Sequence, residues 1–340
     1  MPSKGSYARA GVDFDLAGYT KRLIAEEART TFSPKVVADI GFFGSMFNFK
    51  GYRDPVLVSS VDGVGTKLKI AAAMGRHEGA GIDIVSHSVN DIFCCGAKPL
   101  YFLDYIAMGK LNTKVAVSLA RGMAKACREV GMALVGGETA QMPGMYAEGE
   151  YDLVGFITGV VERGEIIDGR AIKIGDVVLG LPSSGLHTNG YSLVRKIFKL
   201  DSDPSQLKVF YPELGRTLGE ALLEPHRCYY NRLKPVLGMV KGIAHITGGG
   251  MIDNIPRILP DGMAIRIRRG TWDVLPLFEL IRKKGRIKLD EMFNVFNMGV
   301  GMVFVVSPAN ARRLIKALPE SRLIGEVIKA ASEEECVLIK

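Results

Sequence analysis

The sequence predicts an α/β protein with mixed sheets, organised as two domains. Its 340 residues exceed one ordinary hydrophobic core but suit two domains of roughly 100–200 residues each. From Pro55 onward, apolar runs typical of strands alternate with segments of helical periodicity. The 40 glycines indicate many tight turns or close approaches of the backbone to ligands.

The first half predicts four strands and three helices. In chain order they are strand 56–61, helix 67–74, helix 82–96, strand 100–108, helix 114–130, strand 132–140 and strand 152–161. On the helix at 82–96 the apolar positions recur at helical spacing, which leaves Asp83, His87 and Asp91 along another face. The helix at 114–130 is expected to be capped by Asn112 or Thr113.

A polar, turn-rich stretch at 162–176 is the predicted linker, with the boundary near 166–172. We therefore expect domains at 1–168 and 169–340. The second opens with a strand at 177–181 and a helix near 190–200, and its later strands are predicted at 263–268, 300–306 and 323–329.

Charge and cysteine content narrow the class of protein. The net charge of +8 favours anionic partners such as phosphorylated substrates, nucleotides or nucleic acid. The basic residues are spread along the chain without a nucleic-acid-binding signature, so we expect no nucleic-acid partner. Five cysteines without paired spacing argue against disulfides and structural zinc and favour the cytoplasm. No signal peptide and no run of ~18 apolar residues is found, so no membrane association is expected.

The segment SVDGVGTK is typical of a phosphate-binding turn. Asp62 ends a strand, and Gly63, Gly65 and Thr66 lead to Lys67 at the start of a helix. Small residues allow backbone N–H groups to approach an anion, Asp62 could hold a divalent metal, and Lys67 could offset phosphate charge. The spacing is not that of a Walker loop. A plain strand-to-helix turn remains the alternative.

Further oxygen ligands lie in the same half. Asn90 and Asp91 are adjacent on the helix at 82–96, and Glu138 follows two glycines just after a strand. With Asp62 they form a set of hard ligands suited to Mg²⁺, which shares its coordination shell with nucleotide phosphates. We therefore predict a magnesium site at these four residues.

Asp104 interrupts an apolar strand. A carboxylate among such neighbours needs a cation, a metal or hydrogen-bond donors. A ligand role is one interpretation. Bonds from neighbouring backbone, or a pair with Lys110, are the other.

Two glycine-containing loops in the second half could hold a phosphate or a sugar. The segment LPSSGLHTNGYSL offers backbone N–H groups with Ser184 and Asn189, and HITGGGMIDNIPR places three glycines before a helix. His187 and His245 are their titratable groups and could donate to a substrate oxygen or relay a proton. A histidine bonded only to its own loop is the alternative.

Together these segments resemble the AIR synthetase (phosphoribosylformylglycinamidine cyclo-ligase) family over nearly the whole chain. The matching segments are SYARAGVDFD, YRDPVLVSSVDGVGTKLK, GIDIVSHSVNDI, LYFLDYIAMGKL, LVGGETAQMPGMY, SSGLHTNGYSLVRKI, HITGGGMIDNIPR and FNMGVGM. The resemblance implies a homodimer whose N-terminal domains form a shared barrel. It also implies ATP, Mg²⁺ and the phosphoribosyl substrate formylglycinamidine ribonucleotide, which the enzyme converts to aminoimidazole ribonucleotide, ADP and phosphate in purine biosynthesis.

The resemblance also implies roles for individual residues. The ATP and metal side maps to Asp62, Lys67, Asn90, Asp91, Asp104 and Glu138, and the substrate side to Ser184, Gly185, His187, Asn189, Gly248, Gly249 and Gly250. Lys67, His187 and Asp104 are the predicted catalytic residues. Ala8 and Arg9 replace the family's usual lysine and aspartate, and Leu186 replaces a usual proline.

Three rival functions follow from the same residues. Other ATP-using enzymes of the superfamily, such as thiamine-monophosphate kinase, selenophosphate synthetase or the larger formylglycinamidine ribonucleotide synthetase, are the nearest. The first cysteine, Cys94, lies far from the N-terminal position of the reactive residue in selenophosphate synthetase, and the larger synthetase needs a longer chain. A basic nucleic-acid-binding module and a regulatory dimer without turnover are the other two.

Overall fold

The computed structural model describes residues 14–332 and 336–340. The chain divides into two compact units. The first contains the described residues up to Ile92 together with Lys98–Glu162, and the second contains Phe93–Ala97 and Arg163–Lys340. Ala8 and Arg9 lie outside the described residues. No described helix is both long enough and apolar enough to cross a bilayer.

The first unit is built on a four-stranded mixed sheet. Its strands are β1 (Pro55–Gly63), β2 (Lys98–Met108), β3 (Ala133–Gln141) and β4 (Tyr151–Glu162). They lie in the order β1-β4-β2-β3, with β2 and β3 parallel and the other pairs antiparallel. Its helices are α1 (Phe14–Arg29), α2 (Lys67–Met74), α3 (Glu78–Phe93) and α4 (Thr113–Val130). The predicted strands and helices of this half are all present, and α1 is an addition.

Local sequence explains the limits of α4. The side chain of Asn112 accepts a hydrogen bond from Val115 N at 3.3 Å, which caps the first turn. Gly131 adopts φ 70° at the other end, a left-handed conformation that glycine adopts without steric cost. Of the two predicted caps, Asn112 is therefore the one used.

Two glycines bring α3 and α4 into close contact. A Cβ atom on Gly81 would lie 2.2 Å from the carbonyl oxygen of Leu119. One on Gly122 would lie 2.0 Å from that of Glu78. Only glycine fits at either position, so these residues set the distance between the two helix axes.

The two faces of this sheet differ in how fully other elements cover them. On one face α3 packs so closely that a Cβ on Gly159 would lie 2.5 Å from Cδ1 of Ile92. On the other face Leu57, Val61 and Phe156 are 56%, 63% and 41% exposed. The strand register places Val61 beside Phe156, and Leu57 lies on the same face beyond the polar pair Ser59 and Thr158. We call this surface the open sheet face.

The second unit contains a six-stranded sheet and a short hairpin. Its strands are β5 (Val177–Pro182), β6 (Phe210–Tyr211), β7 (Arg216–Thr217), β8 (Val240–His245), β9 (Met263–Ile267), β10 (Val300–Val306), β11 (Arg322–Lys329) and β12 (Val337–Ile339). The sheet order is β12-β9-β11-β5-β10-β8, and β6 pairs with β7. Every residue of the inner strand β10 is buried. The strands predicted in this half are present, and β6, β7, β8 and β12 are additions.

Short helices surround this sheet. They are α5 (Tyr191–Ile197), α6 (Leu218–Leu222), α7 (Tyr230–Leu233), α8 (Gly250–Asn254), α9 (Pro276–Gly285), α10 (Leu289–Val295) and α11 (Pro308–Ala317). Single 3-10 turns occur at Arg163–Glu165, Pro204–Lys208, Pro212–Leu214, Lys234–Met239 and Ile255–Ile258. The predicted α/β class with mixed sheets is therefore confirmed for both units.

The glycine contact between α3 and α4 leads to a prediction about stability. Gly122→Ala should lower the free energy of unfolding by about 1–3 kcal/mol, because its Cβ would overlap a backbone carbonyl that has no room to move. Gly18→Ala is the matched control, since Gly18 lies within α1 and a Cβ there meets nothing within 4 Å. That control should be neutral or stabilising. Chemical denaturation of both variants measures the difference, and equal stabilities would contradict the packing argument.

Candidate active site

Two predicted metal ligands of the first unit converge on a histidine. Asp62 ends β1, and its Oδ2 lies 2.7 Å from Nε2 of His87 on α3. Asp91, one turn along the same helix, places its Oδ2 3.5 Å from that nitrogen. His87 is buried, so the three side chains form a charged cluster at the edge of the unit's core.

Electrostatics within this cluster fix its protonation. Burial alone would lower the pKa of His87, but hydrogen bonds and charge from the two carboxylates raise it to about 10. Burial opposes ionisation of Asp62, yet its pKa is lowered because His87 donates to it. At neutral pH a protonated imidazole therefore lies between two carboxylates.

The turn after Asp62 leads from β1 into α2, as the sequence indicated. The carboxylate accepts from Gly63 N at 2.7 Å, and Gly65 adopts φ 71°. Thr66 occupies the N-cap position of α2 without a side-chain cap bond. The turn thus presents small residues at a helix start, as a phosphate-binding loop requires.

Lys67 has a partner that the sequence analysis did not assign. Its Nζ lies 2.8 Å from Oδ2 of Asp83 on α3, and both side chains are buried. Removing one partner of such a buried ion pair strongly destabilises the folded protein, because the remaining charge is buried without compensation. Lys67 therefore joins α2 to α3, and its predicted contact with ATP phosphates stays a prediction.

Asp104 is buried within β2. Loss of solvent raises its pKa to about 7 against an opposing hydrogen bond from its own backbone, and the negative charge of Glu138 adds a smaller increase. The alternative pair with Lys110 is not formed, because Nζ of Lys110 binds Glu148 at 3.0 Å. The register aligns Asp62 and Asp104 with Gly155 between them, so one strand separates them by roughly 10 Å.

A cavity of about 1210 Å³ opens on the first unit. Asp104 and Glu138 line it with basic residues of α1, and Phe42, Phe47, Tyr101 and Leu103 are among its apolar lining. Glu138 is largely exposed and lies 4.0 Å from Nζ of Lys21. A cavity with apolar walls and a mixed charged lining suits a nucleotide.

The predicted ATP and metal residues thus fall into two groups. Asp62 and Asp91 meet at His87, and the neighbouring Asn90 is fully buried. Glu138 is on β3, whereas Asp62 is on β1, and these are the two outer strands of the sheet. Within one chain the structure does not bring Glu138 to the other three.

In the second unit, the loop after β5 is held by several hydrogen bonds. Ser184 donates through Oγ to Pro225 O at 2.6 Å, and its backbone N donates to Nε2 of His187 at 3.2 Å. Asn297 donates to Gly185 O and accepts from the Ser183 hydroxyl, both at 2.9 Å. The loop conformation is therefore fixed by side chains from distant parts of the unit.

Histidines cluster beneath this loop. His187 has φ 62°, unusual for a residue with a side chain, and its ring stacks on His226 with centroids 4.0 Å apart. His226 Nε2 lies 3.0 Å from Nε2 of His245 at the end of β8. All three are buried, so the two histidines selected from sequence are linked by a third.

The predicted glycine loop lies beside Asn189. Gly249 and Gly250 adopt φ 86° and 60°, and a Cβ on Gly250 would lie 1.9 Å from Phe293 O. A Cβ on Gly248 would lie 3.3 Å from Oδ1 of Asn189. Gly250 thus allows backbone to approach backbone, whereas Gly248 and Gly249 leave room for the side chains of Asn189 and Asp253. The substrate role of Asn189 and the three glycines stays a prediction.

Sequence reasoning missed the residues that connect the predicted ones. The spacing of Asp83, His87 and Asp91 along one helix face was a signal for the first two. His226 gave no signal, and Asn297 was included only within the matching segment FNMGVGM, without a role, because the partners of both are remote in sequence. Contacts across the fold, rather than local motifs, identify them.

Comparison with known proteins shows the family. A family model described as AIR synthase related protein, N-terminal domain, matches residues 50–161, and its C-terminal counterpart matches residues 173–336. The chain belongs to the AIR synthase related family.

Relatives within the AIR synthase related family are similar over nearly their whole length. The protein from Geobacillus thermodenitrificans named phosphoribosylformylglycinamidine cyclo-ligase is 50% identical over 334 residues, which cover 96% of each chain. One of the same name from Alkaliphilus oremlandii is 48% identical over 338 residues, covering 97% of this chain and 99% of that one.

Solved structures share the fold at lower identity. Thiamine-monophosphate kinase from Stenotrophomonas maltophilia has a TM-score of 0.67 and 14% identity, with 97% of this chain and 96% of that chain covered. Hydrogenase maturation protein HypE in complex with ATP has a TM-score of 0.65 and 16% identity, with 94% and 90% covered. At such identities the likeness establishes the fold alone.

The burial of Asp104 predicts a stability that depends on pH. Its folded pKa of about 7 exceeds the ordinary value of 3.8, so the folded state binds the proton more tightly than the unfolded state. This stabilisation is complete below pH ~4 and is lost as pH rises to ~7. Asp104→Asn should therefore raise the melting temperature at pH 8, with a gain that shrinks toward pH 4.

The control for this prediction is Asp261→Asn on an exposed turn, which should alter the melting temperature equally at each pH. A melting curve of Asp104→Asn that runs parallel to the wild type from pH 4 to pH 8 would contradict the buried-carboxyl interpretation.

Proposed function

We propose that this chain is an ATP-dependent phosphoribosylformylglycinamidine cyclo-ligase that converts formylglycinamidine ribonucleotide to aminoimidazole ribonucleotide, ADP and phosphate. The observation that carries the proposal is the 50% identity, over 96% of each chain, to a relative of that name. The site geometry supports it, because a glycine turn at a helix start lies next to two converging carboxylates.

The donor set near Asp62 fits Mg²⁺. Carboxylate oxygens are its preferred protein ligands, and two of them already approach one cation, protonated His87. We propose that Asp62 and Asp91 hold the metal, with Asn90 beside them. Glu138 lies across the sheet in the cavity next to α1, and we propose that it contacts ATP there. Mg²⁺ bound there supplies positive charge that offsets the charge of the ATP phosphates.

The chemistry needs positioning more than a protein nucleophile. A formyl oxygen is a poor leaving group, so the γ-phosphoryl group of ATP is transferred to it first. An amidine nitrogen then attacks the formyl carbon, the C–O bond breaks, and phosphate leaves as the ring closes. The backbone N–H of Gly65, in the turn at the start of α2, orients the phosphates for this transfer.

The second unit is assigned to the phosphoribosyl substrate. Ser184, Gly185 and Asn189 lie on the loop after β5, and Gly248–Gly250 lie on the loop after β8. His187 and His245 supply hydrogen-bonding nitrogens beside these loops. Buried walls around the histidines exclude water, which protects a phosphorylated intermediate from hydrolysis.

A kinase acting on thiamine monophosphate is the second candidate, because an enzyme with that activity shares the fold. Its 14% identity is far below the 50% to a cyclo-ligase. The cyclo-ligase therefore remains the preferred assignment. The five free cysteines support a cytoplasmic location.

We further propose a homodimer formed through the open sheet face. Leu57, Val61 and Phe156 are exposed together on strands β1 and β4. An exposed apolar patch on a sheet is typical of an interface with another chain. A second copy packed on this face is the arrangement implied by the family's shared barrel.

The function is tested by product analysis with purified protein. ATP, Mg²⁺ and formylglycinamidine ribonucleotide should yield ADP and aminoimidazole ribonucleotide in equal amounts, whereas thiamine monophosphate should yield no ADP. Asp62→Asn and Asp91→Asn should each lower kcat/KM by at least about 100-fold, because charge at the metal is lost. Asp261→Asn is the matched control. Wild-type turnover in both site variants would reject the metal assignment.

The dimer is tested by Val61→Lys. A charge on the open sheet face should shift the protein toward monomer in light scattering at micromolar concentration, because burying an unpaired lysine in an interface is unfavourable. Lys50→Ala, an exposed change before β1, is the control. A variant of Val61 that keeps the same mass as the wild type would place the interface elsewhere.

A further inference from the structure

His226 is the one residue of the buried histidine cluster that sequence motifs did not select. It lies between α6 and α7 and is 2% exposed. The ring nitrogens of His187, His226 and His245 approach within 4.8 Å of one another. Such a cluster could form around a transition metal or be held by its own hydrogen bonds.

Ring geometry decides between these alternatives. The planes of His187 and His226 are 23° from parallel with centroids 4.0 Å apart, so their in-plane lone pairs run side by side rather than toward one point. Nε2 of His187 already accepts from Ser184 N. The cluster is therefore a stacked and hydrogen-bonded set.

The bond between His226 and His245 couples their tautomers. Their Nε2 atoms are 3.0 Å apart, so one nitrogen must carry hydrogen and the other must accept it. On its opposite side, Nδ1 of His226 lies 3.4 Å from the hydroxyl of Thr188. The tautomers of His226 and His245 are thus linked, and replacing His226 releases His245 from this constraint.

The same ring also supports His187. Stacking on His226 holds a side chain whose backbone has a left-handed φ of 62°. A Cβ on Gly301 would lie 2.5 Å from Cε1 of His187, so glycine at that position leaves room for the ring. His226 therefore touches both histidines assigned to the substrate side.

We propose that His226 is a positioning residue that locks His245 in one tautomer and fixes the ring plane of His187. The proposal rests on the cyclo-ligase function, in which His187 and His245 face the phosphoribosyl substrate. His226 itself does not touch substrate. Its effect is to remove alternative protonation and rotation states that would have to be excluded at each turnover.

The test compares two substitutions. His226→Phe keeps a stacking ring but removes both nitrogens, and His226→Gln keeps a polar group able to reach His245. The Phe variant should lower kcat roughly tenfold or more with little change in KM, as expected when a partner that orients a working histidine is lost. The Gln variant should restore most of the rate.

A spectroscopic measurement separates positioning from simple packing. In full-length protein labelled with ¹⁵N-histidine, His245 should show one protonated and one unprotonated nitrogen in the wild type and in His226→Gln. Averaged shifts are expected in His226→Phe. His77→Gln is the control, because His77 lies in the first unit and contacts Tyr151 OH at 2.9 Å.

Two results would overturn the proposal. One is an unchanged His245 spectrum in His226→Phe, and the other is an equal loss of rate in both variants with equal thermal destabilisation. If the wild type lacks cyclo-ligase activity while the locked His245 spectrum is present, the proposed function fails and the coupling of the two histidines stands.

Discussion

The contact of His87 with Asp62 and Asp91 is the interaction on which the first unit's site depends. It joins the end of a strand to a helix through opposite charges, and it does so beside a turn of small residues. Without the imidazolium the two carboxylates would repel each other at short range. The histidine thus keeps two acidic groups together until another cation competes for them.

A second buried charge pair supports the same region. Lys67 and Asp83 connect α2 to α3, and the glycine contact of α3 with α4 fixes the next helix. The turn between β1 and α2 is therefore attached to a set of packed helices rather than to a free loop. In the second unit, hydrogen bonds from Asn297 and the stacked histidines give comparable support to the loop after β5.

The sequence alone predicted the helices and strands better than it predicted the contacts between them. The strand at 100–108 and the helix at 114–130 were found because their apolar patterns are long and periodic. Helix α1 was missed because glycine and polar residues interrupt its pattern, and β12 because three residues carry little periodicity. Short strands are formed by pairing, which a local pattern does not encode.

The site was predicted by residue type and only partly by geometry. Asp62 and Asp91 were chosen as oxygen ligands and do meet, whereas Glu138 lies across the sheet. Lys67 was selected for its charge, but its pairing with Asp83 depends on how α2 packs against α3. Partners remote in sequence, such as His226 for His187, require the folded chain.

The short stretch Phe93–Ala97 has a consequence for dissecting this protein. It ends a helix that otherwise belongs to the first unit, yet it packs with the second, where Phe93 meets the ring of Tyr230 and Cys95 O accepts from Ile167 N. A fragment cut after Glu162 would carry these five residues without the surface that buries them. Segments of the two units thus alternate along the sequence. Dividing the chain at one position therefore does not give two fragments that each contain a complete unit.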